Sequence, residues 1–416
     1  MLIDYSDKTL TICDNGSYVE WAIMLSKYFG KVNYFNPWYS AFPDSEMFMP
    51  GLGLTNVNKV SRLFDVVNST DLFFFPDIYF GDVQLHLESI GKKVFGSRDG
   101  DSIELFRDEA KKLYKEVGIP TASYKKLIGM KALKSYLKEH EDVYIKSNET
   151  RGDMETWHSD SYILSEEYLN ELDYTLGAAR ETVEFIVEES VNDAEEFGYD
   201  GFTIDGQFPK KAGWGIEIKD CGYLGFFGEV FPKELLEVNA KLSEYFKRNR
   251  YRNMWSNEVR KQKKLYFMQD PTCRVASPPG GLYMNNCTNW PDIMWYGSEG
   301  TLIEPIYQGK VGAEVIIHSQ FAEKHSQLVI FPEKFHDHIK FRNLAKVNDN
   351  YYVIPQHVGV AEIGSVTGWG STIGEAFSEV MKYAKEVKGF GIKVMTDSLS
   401  KATESLNKLR DYGVRI

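Results

Sequence analysis

Hydrophobic positions in the first hundred residues come in short runs separated by helical patterns. Thr9 to Cys13 reads as a strand and runs into the polar turn Asp14-Asn15-Gly16-Ser17. A helical pattern follows through Trp21, Ile23, Leu25 and Tyr28, with Gly30 as its expected stop, and Val32 to Phe35 reads as the next strand. The alternation repeats through the apolar run at Leu72 to Phe75, a helix over Gly81 to Ile90, and a strand closing on Lys92-Lys93-Val94-Phe95-Gly96. Strands alternating with helices predict an α/β unit wound on a parallel sheet. Gly51-x-Gly53 follows Pro50 and lacks a third glycine, so it reads as a turn and not as a dinucleotide fingerprint.

The texture changes near residue 100. Ser102 to Val117 has the spacing of one charged amphipathic helix, ended by Gly118-Ile119-Pro120. Leu133 to Glu139 reads as helix, and Val143 to Lys146 and Glu181 to Glu188 as strands. Asp200 to Gln207, Trp214 to Lys219 and Phe226 to Phe231 look antiparallel, which predicts α+β subdomains. In the last hundred residues, strands are expected at Val311 to His318, Leu328 to Phe331, Tyr351 to Ile354 and Val360 to Ser365, and a helix at Ile373 to Val387. The expected units are 1–96, 97–308 and 309–416. There is no internal repeat.

Composition narrows the function classes. The chain has 416 residues, 43% of them hydrophobic and 26% charged, enough for several packed cores. A formal net charge of −12 argues against a protein whose main work is neutralising nucleic-acid phosphates. Cys13, Cys221, Cys273 and Cys287 form no CxxC pair, so free thiols in a reducing compartment are expected. The first residues, M-L-I-D-Y-S-D-K, lack a basic-then-apolar leader, and no apolar run approaches a membrane span. The expectation is a cytoplasmic protein, a monomer or small homo-oligomer, with small-molecule partners.

Candidate chemistry concentrates in Glu258 to Arg274. Strand alternation would put Asp270, Thr272 and Arg274 on one face, with Glu258 on a neighbouring segment. Such a set can hold Mg²⁺ against a polyphosphate, with an arginine beside the reacting group; a hairpin with a polar outer face has the same pattern. Lys146 ends a strand and can act as a point charge on phosphate, or simply be an edge lysine in water. The polar stretch Ser147 to Thr156, with Gly152 as its single glycine, could cover phosphates. Phe185 to Val187 runs into Glu188 and Glu189, with Glu195 beyond, which suits an adenine slot and a ribose carboxylate or a solvated acidic run.

Several of these segments occur in the order of one family. Ser102 to Tyr124, S-I-E-L-F-R-D-E-A-K-K-L-Y-K-E-V-G-I-P-T-A-S-Y, resembles the opening of the ATP-grasp domain in phosphoribosylamine–glycine ligases. Val187-Glu188-Glu189 with Glu195 is similar to that family's hinge, and Asp270-x-Thr272-x-Arg274 to its E-x-N-x-R strand. Gly91 to Gly96 and Gly364 to Ala376 are similar to its flanking segments. The resemblance implies an ATP-grasp fold, α/β and α+β, with an N-terminal Rossmann-like pre-ATP-grasp domain and a small C-terminal α/β domain.

What it implies for the site follows residue by residue. Arg107, Lys146, Glu188, Glu189, Val191 and Glu195 would bind ATP: Arg107 and Lys146 its phosphates, Glu188 and the backbone of 189–191 its adenine, Glu195 its ribose. Glu258, Asp270 and Thr272 would hold Mg²⁺, or Mn²⁺ in its place. Arg274 would stabilise the transferred phosphoryl group. The chain departs from the family at Arg107, where a lysine is usual, at Asp270 and Thr272, and at Ser277-Pro278-Pro279-Gly280-Gly281. Ser277, Gly280 and Gly281 are therefore the expected substrate contacts, and phosphoribosylamine and glycine are not carried over as substrates. The implied reaction is an ATP-dependent, ADP-forming carboxylate–amine ligation through an acyl phosphate, with a nucleotide or ribosylamine-like amine as one acceptor class. A phosphotransferase and a non-catalytic nucleotide-binding protein are the alternatives.

Four features are set apart. The basic stretch Lys241 to Lys264 reads as a solvated helix followed by a strand pair. His336 and His338 read as surface polar residues more readily than as metal ligands. Cys273 should face packing, and Trp290, Trp295 and Tyr296 should belong to a core.

Overall fold

The computed structural model describes residues 3–37, 49–148, 156–355 and 361–414. Among these residues the strands form four sheets. The first contains β1 (Thr9–Cys13), β2 (Lys31–Phe35), β3 (Val57–Val60), β4 (Leu72–Phe74) and β5 (Lys93–Phe95), in the order β3-β2-β1-β4-β5, parallel throughout. A parallel sheet must be covered on both faces, and β1 and β4 are buried at every position but Thr9. Helix α1 (Val19–Leu25) packs on one face with Trp21 at 0% exposure, and α2 (Gly81–Ser89) follows β4. Helix α1 ends at Leu25, five residues before the glycine expected to stop it, because the chain turns at 26–30.

The stretch expected as one helix from Ser102 to Val117 is two, α3 (Ser102–Leu105) and α4 (Arg107–Val117). They break at Phe106, whose ψ of 80° is not helical. Gly118, at φ +74°, closes α4 in the left-handed conformation a glycine tolerates.

A small antiparallel sheet comes next: β6 (Tyr124–Ile128), β7 (Val143–Ser147), β8 (Thr156–Ser159) and β9 (Glu184–Glu189), in the order β6-β9-β7-β8. Helices α5 (Met130–Leu137) and α6 (Tyr162–Leu176) cover one face with a separate core built on Leu133, Ile145, Leu169 and Phe185.

The large sheet holds β10 (Glu195–Ile204), β11 (Ala212–Ile218), β12 (Gly222–Gly228), β13 (Arg252–Gln262) and β14 (Leu265–Thr272). Its outer face packs on α7 (Lys233–Arg248), where Phe246 lies against Trp255 and the Trp255 indole donates to Asn239. The basic stretch is thus a helix and strand pair, with Tyr245, Phe246 and Tyr251 buried. Two short helices follow: α8 (Gly280–Asn286) buries Leu282 and Tyr283, and α9 (Trp290–Ser298) carries Trp290 and Trp295 into the core.

Beyond them β15 (Val311–His318) joins the same sheet beside β12. A small three-stranded sheet is made of β16 (Gln327–Val329), β18 (Leu344–Val347) and β19 (Asn350–Val353). The intervening β17 (Ile339–Phe341), with β20 (Glu362–Gly370) and β21 (Lys393–Val394), extends the large sheet. Helices α10 (Ile373–Ala384) and α11 (Ser398–Asp411) complete the chain. No helix among the described residues is long and apolar enough to cross a membrane.

Candidate active site

Alternation divides the small sheet into two faces. Leu127, Ile145, Phe185 and Val187 point into its core. The cross-strand pairs Tyr144↔Glu188, Lys146↔Ile186 and Tyr124↔Glu188 place Tyr144, Lys146, Glu188 and Tyr124 together on the other face. The large sheet is divided the same way. Glu258 pairs with Asp270 and Ser256 with Thr272, so Asp270 and Thr272 share the face of Glu258. The ladder shifts at Glu258/Val259, skipping Gln269. Gly198 pairs with both Glu258 and Gly215, and leaves that part of the sheet without side chains.

Four carboxylates gather there, from Glu196, Glu217, Glu258 and Asp270. Their mutual field raises two of them, Glu258 and Glu217. Burial and the neighbouring Glu196, Glu217 and Asp270 push the Glu258 carboxyl well above the usual carboxylate range. Burial, with Glu196, Glu362 and Asp220, raises Glu217 to about 8 against the opposing pull of Lys219. Lys219 is held above its ordinary value because these carboxylates outweigh its own burial.

Cations face this cluster from the small sheet and α4. Lys146 Nζ lies 2.9 Å from Asp270 Oδ1 and 3.8 Å from Glu188 Oε1, and donates to the Gln269 carbonyl at 3.2 Å. Lys111, one helical turn beyond Arg107, pairs with Glu188 at 2.8 Å, both side chains being nearly inaccessible. Arg107 is buried, donates to the Ser147 carbonyl at 3.0 Å, and has its backbone N–H accepted by Asn148 Oδ1 at 2.8 Å. Burial alone would raise Asp270, but Lys146, Arg107 and Lys219 prevail and hold it at about 2.

A basic group thus opposes an acidic group across one cleft. That suits a polyphosphate carrying a divalent cation: the cations meet phosphate oxygens, and the excess of carboxylates meets the metal. Among the described residues no three His, Cys, Asp or Glu side chains lie within ligating reach of one ion. Mg²⁺ fits this arrangement, because it binds through one or two carboxylates with substrate phosphates and waters completing its shell.

Strand β14 ends at Thr272, so Arg274 is not placed by strand alternation. Its Nε donates to Glu104 Oε1 at 2.8 Å and its Nη1 to the Tyr18 hydroxyl at 3.2 Å. Tyr18 in turn donates to the Val275 carbonyl and lines a second pocket. That pocket, about 410 Å³ including its open mouth, lies between α1, the 275–284 segment and the C-terminal strands, and Ser277, Gly280 and Gly281 line it. Arg342 donates to Ser277 Oγ at 2.6 Å and pairs with Glu362. A Cβ on Gly281 would fall 2.7 Å from Ser365 Oγ and 2.9 Å from Glu314 Oε1, so only glycine lets this turn sit on Glu314. Burial raises Glu314 to about 7, and Lys340, also lining the pocket, is lowered by burial despite Glu20.

Two acids expected at the nucleotide have partners that the sequence did not show. Glu188 is 2% exposed and paired with Lys111. Glu195 pairs with Lys261 in register and so shares the outer face, where Lys408 of α11 reaches it at 2.9 Å. Its neighbour Glu196 pairs with Arg260 on the cleft face. One residue of register decides which carboxylate enters the cleft.

Glu189 is exposed at the end of β9 and Val191 follows half-buried, where an adenine edge would reach backbone. The expected phosphate loop, Ser147 to Thr156, falls outside the described residues over 149–155. Lys111, Glu196, Glu217 and Glu104 were not singled out from the sequence; only the i,i+4 spacing of Arg107 and Lys111 signalled a shared helix face. Cys273 is fully buried, as expected. His336 lies against Glu20, and His338 stacks between Trp369 and Tyr383.

No protein-family model matches this chain, and neither does any curated protein. Solved structures do. Phosphoribosylamine–glycine ligase from Thermotoga maritima is 16% identical with a TM-score of 0.68, over 93% of this chain and 98% of that one. The biotin carboxylase domain of Hydrogenobacter thermophilus 2-oxoglutarate carboxylase, solved with MgADP, is 11% identical with a TM-score of 0.68, over 94% and 92%. N5-carboxyaminoimidazole synthetase from Staphylococcus aureus, solved with ADP, is 11% identical with a TM-score of 0.62, over 92% and 98%. All three are ATP-grasp enzymes, and the chain described here has the ATP-grasp fold. At such identities the likeness is one of fold.

Proposed function

We propose that this protein is an ATP- and Mg²⁺-dependent ligase that joins a carboxylate to an amine, with ADP and phosphate as products. The observation that carries the reading is the opposed pair of charge clusters with Arg274 at their edge and a separate pocket directly behind it. A cleft of this kind fits MgATP, and an adjoining cavity fits a reaction that also takes an acceptor.

Lys146, Lys111 and Arg107 would neutralise the phosphates, the backbone of 189–191 would take the adenine edge, and Glu196 the ribose. Glu258 and Asp270, aided by Thr272, would hold Mg²⁺, which when bound supplies charge neutralisation at the β- and γ-phosphates. The rest is positioning. A carboxylate oxygen of the substrate attacks the γ-phosphorus, the bond to the β-phosphate oxygen breaks, and ADP departs. Arg274 stabilises the charge on the phosphoryl group in flight and on the acyl phosphate. An amine held between Ser277, Gly281 and Glu314 then attacks the acyl carbon, phosphate leaves with the bonding electrons, and the amine gives up a proton.

The test is ADP release from MgATP across a panel of carboxylates crossed with amines. ADP formation that requires both partners, with an amide product, supports the ligase. A phosphorylated product made from one acceptor alone would establish a kinase instead. Failure to bind MgADP by calorimetry would remove both.

A further inference from the structure

We propose that Glu104 is the positioning residue of the phosphoryl-transfer arginine, setting where the Arg274 guanidinium stands between the MgATP cleft and the acceptor pocket. The inference rests on the reading above, in which Arg274 acts on the transferred group. It arises from a shift in how Arg274 is held. A side chain on a strand is aimed by the strand's pleat, but β14 has ended two residues earlier. The chain at 273–275 leaves the sheet, and something else must aim the arginine.

Glu104 is the residue that does so. It sits in α3, in the short piece cut off from α4 by the break at Phe106, and it is buried. Its two oxygens divide the work. Oε2 accepts the backbone N–H of Cys273, which anchors the chain where it leaves the strand. Oε1 accepts Nε–H of Arg274 at 2.8 Å. One carboxylate thus fixes both the backbone entering residue 274 and the inner edge of its guanidinium. A charge-assisted pair of this kind is short and directional. With Nε taken by Glu104 and Nη1 directed at Tyr18 and the Val275 carbonyl, the plane of the fork is set from its inner side. The break at Phe106 separates the turn carrying Glu104 from the turn carrying Arg107. The same segment therefore serves both ends of the reaction: Arg107 begins α4 at the phosphate cluster, and Glu104 holds the arginine beyond the metal-side strand.

A buried ion pair that only satisfied two charges would change stability when broken and leave the kinetic constants together. A positioning pair changes kcat and leaves nucleotide affinity alone, because the two Glu104 oxygens are engaged by Cys273 and Arg274. The experiment compares wild type, Glu104→Gln, Arg274→Ala and the double variant in ADP release from MgATP with the carboxylate–amine pair that the panel above identifies, and Mg-AMP-PNP affinity is measured by calorimetry. Glu104→Gln is expected to lower kcat at least tenfold and to keep KM for ATP and Mg-AMP-PNP affinity within twofold. The double variant is expected to match Arg274→Ala alone. If Glu104→Gln fails to fold, Glu104→Asp, which keeps the charge on a shorter arm, carries the same kcat-against-KM split. Wild-type turnover in the Glu104 variant beside an impaired Arg274→Ala overturns the proposal, and so do additive losses in the double variant. Wild-type turnover in Arg274→Ala is a different result: it removes the role of Arg274, and the inference goes with it.

Discussion

Lys146 and Asp270 meet at 2.9 Å across the cleft, the lysine from the small sheet and the carboxylate from the large one. The cation proposed for phosphate thus sits on an acid proposed for the metal. Bound as proposed, MgATP offers each a further partner: phosphate to Lys146 and the divalent ion to Asp270. The pair also explains why Asp270 stays ionised at about 2 while nearby Glu258 is pushed upward.

Removing the lysine therefore has a defined consequence. Lys146→Ala should weaken MgADP binding by about 1.5–3 kcal/mol, the range for a hydrogen bond to a charged group, or roughly ten- to a hundredfold. Calorimetric titration of MgADP checks this. Unchanged affinity would mean that phosphates do not reach this lysine.

The register of β10 separates two adjacent acids. Glu196 faces the cleft with Arg260, and Glu195 faces outward toward Lys408. Glu196→Gln should raise KM for ATP severalfold, and Glu195→Gln should leave it within twofold. Steady-state ADP formation distinguishes the two, and the reverse order would place the nucleotide on the other face of the sheet.

Asp142 gathers three side chains that hold the segment between the two sheets. Ser190 Oγ and Asn192 Nδ2 donate to it at 2.7 Å each, and His158 lies 2.8 Å away. These hydrogen bonds, with Ser190 and Asn192 first among them, lower Asp142 to about 2. Asp142→Ala should loosen the 189–192 backbone, raising KM for ATP while leaving kcat near its wild-type value. A fall in kcat with KM unchanged would count against this.

Asp200 supplies a pH signature. It is buried beneath Ser256 and Tyr223, which donate to its two oxygens. Burial raises it to about 6, and those hydrogen bonds oppose the rise without cancelling it. Because the folded state holds this proton more tightly than the unfolded chain, stability from this group is highest below the unfolded value near 4. It is lost as pH rises from about 4 to about 6, then levels off. Relative to Asp200→Asn, wild type should therefore lose on the order of 3 kcal/mol across that interval, at about 1.36 kcal/mol per pKa unit. Thermal midpoints of both proteins from pH 4.5 to 7.5 measure it; parallel curves would mean that Asp200 is not shifted.

Much of this architecture was legible in the chain. Strand–helix alternation over the first hundred residues marked the parallel sheet, and the spacing of Asp270 and Thr272 marked a common strand face. Lys146 at a strand end was marked too. What the chain did not show has one cause. Glu195 and Glu196 are adjacent acids, and nothing local says which one a strand turns inward; pairing with β13 does. Glu188 ends an apolar strand like an adenine contact, but Lys111 arrives from a helix far away in sequence and claims it. The continuous periodicity of 102–117 hid the break at Phe106, because amphipathic spacing survives a kink that backbone dihedrals do not.

By itself, the sequence determined the elements and some chemical types: which runs are buried strands and which strand carries the acids. These follow from local periodicity, which depends on neighbours within one turn or one pleat. Only the tertiary structure decided which charges meet. The Lys146–Asp270, Lys111–Glu188 and Glu104–Arg274 pairs join residues 124, 77 and 170 positions apart. They exist because two sheets and a broken helix converge on one cleft, and Coulomb attraction between side chains depends on distance in space and not on separation along the chain.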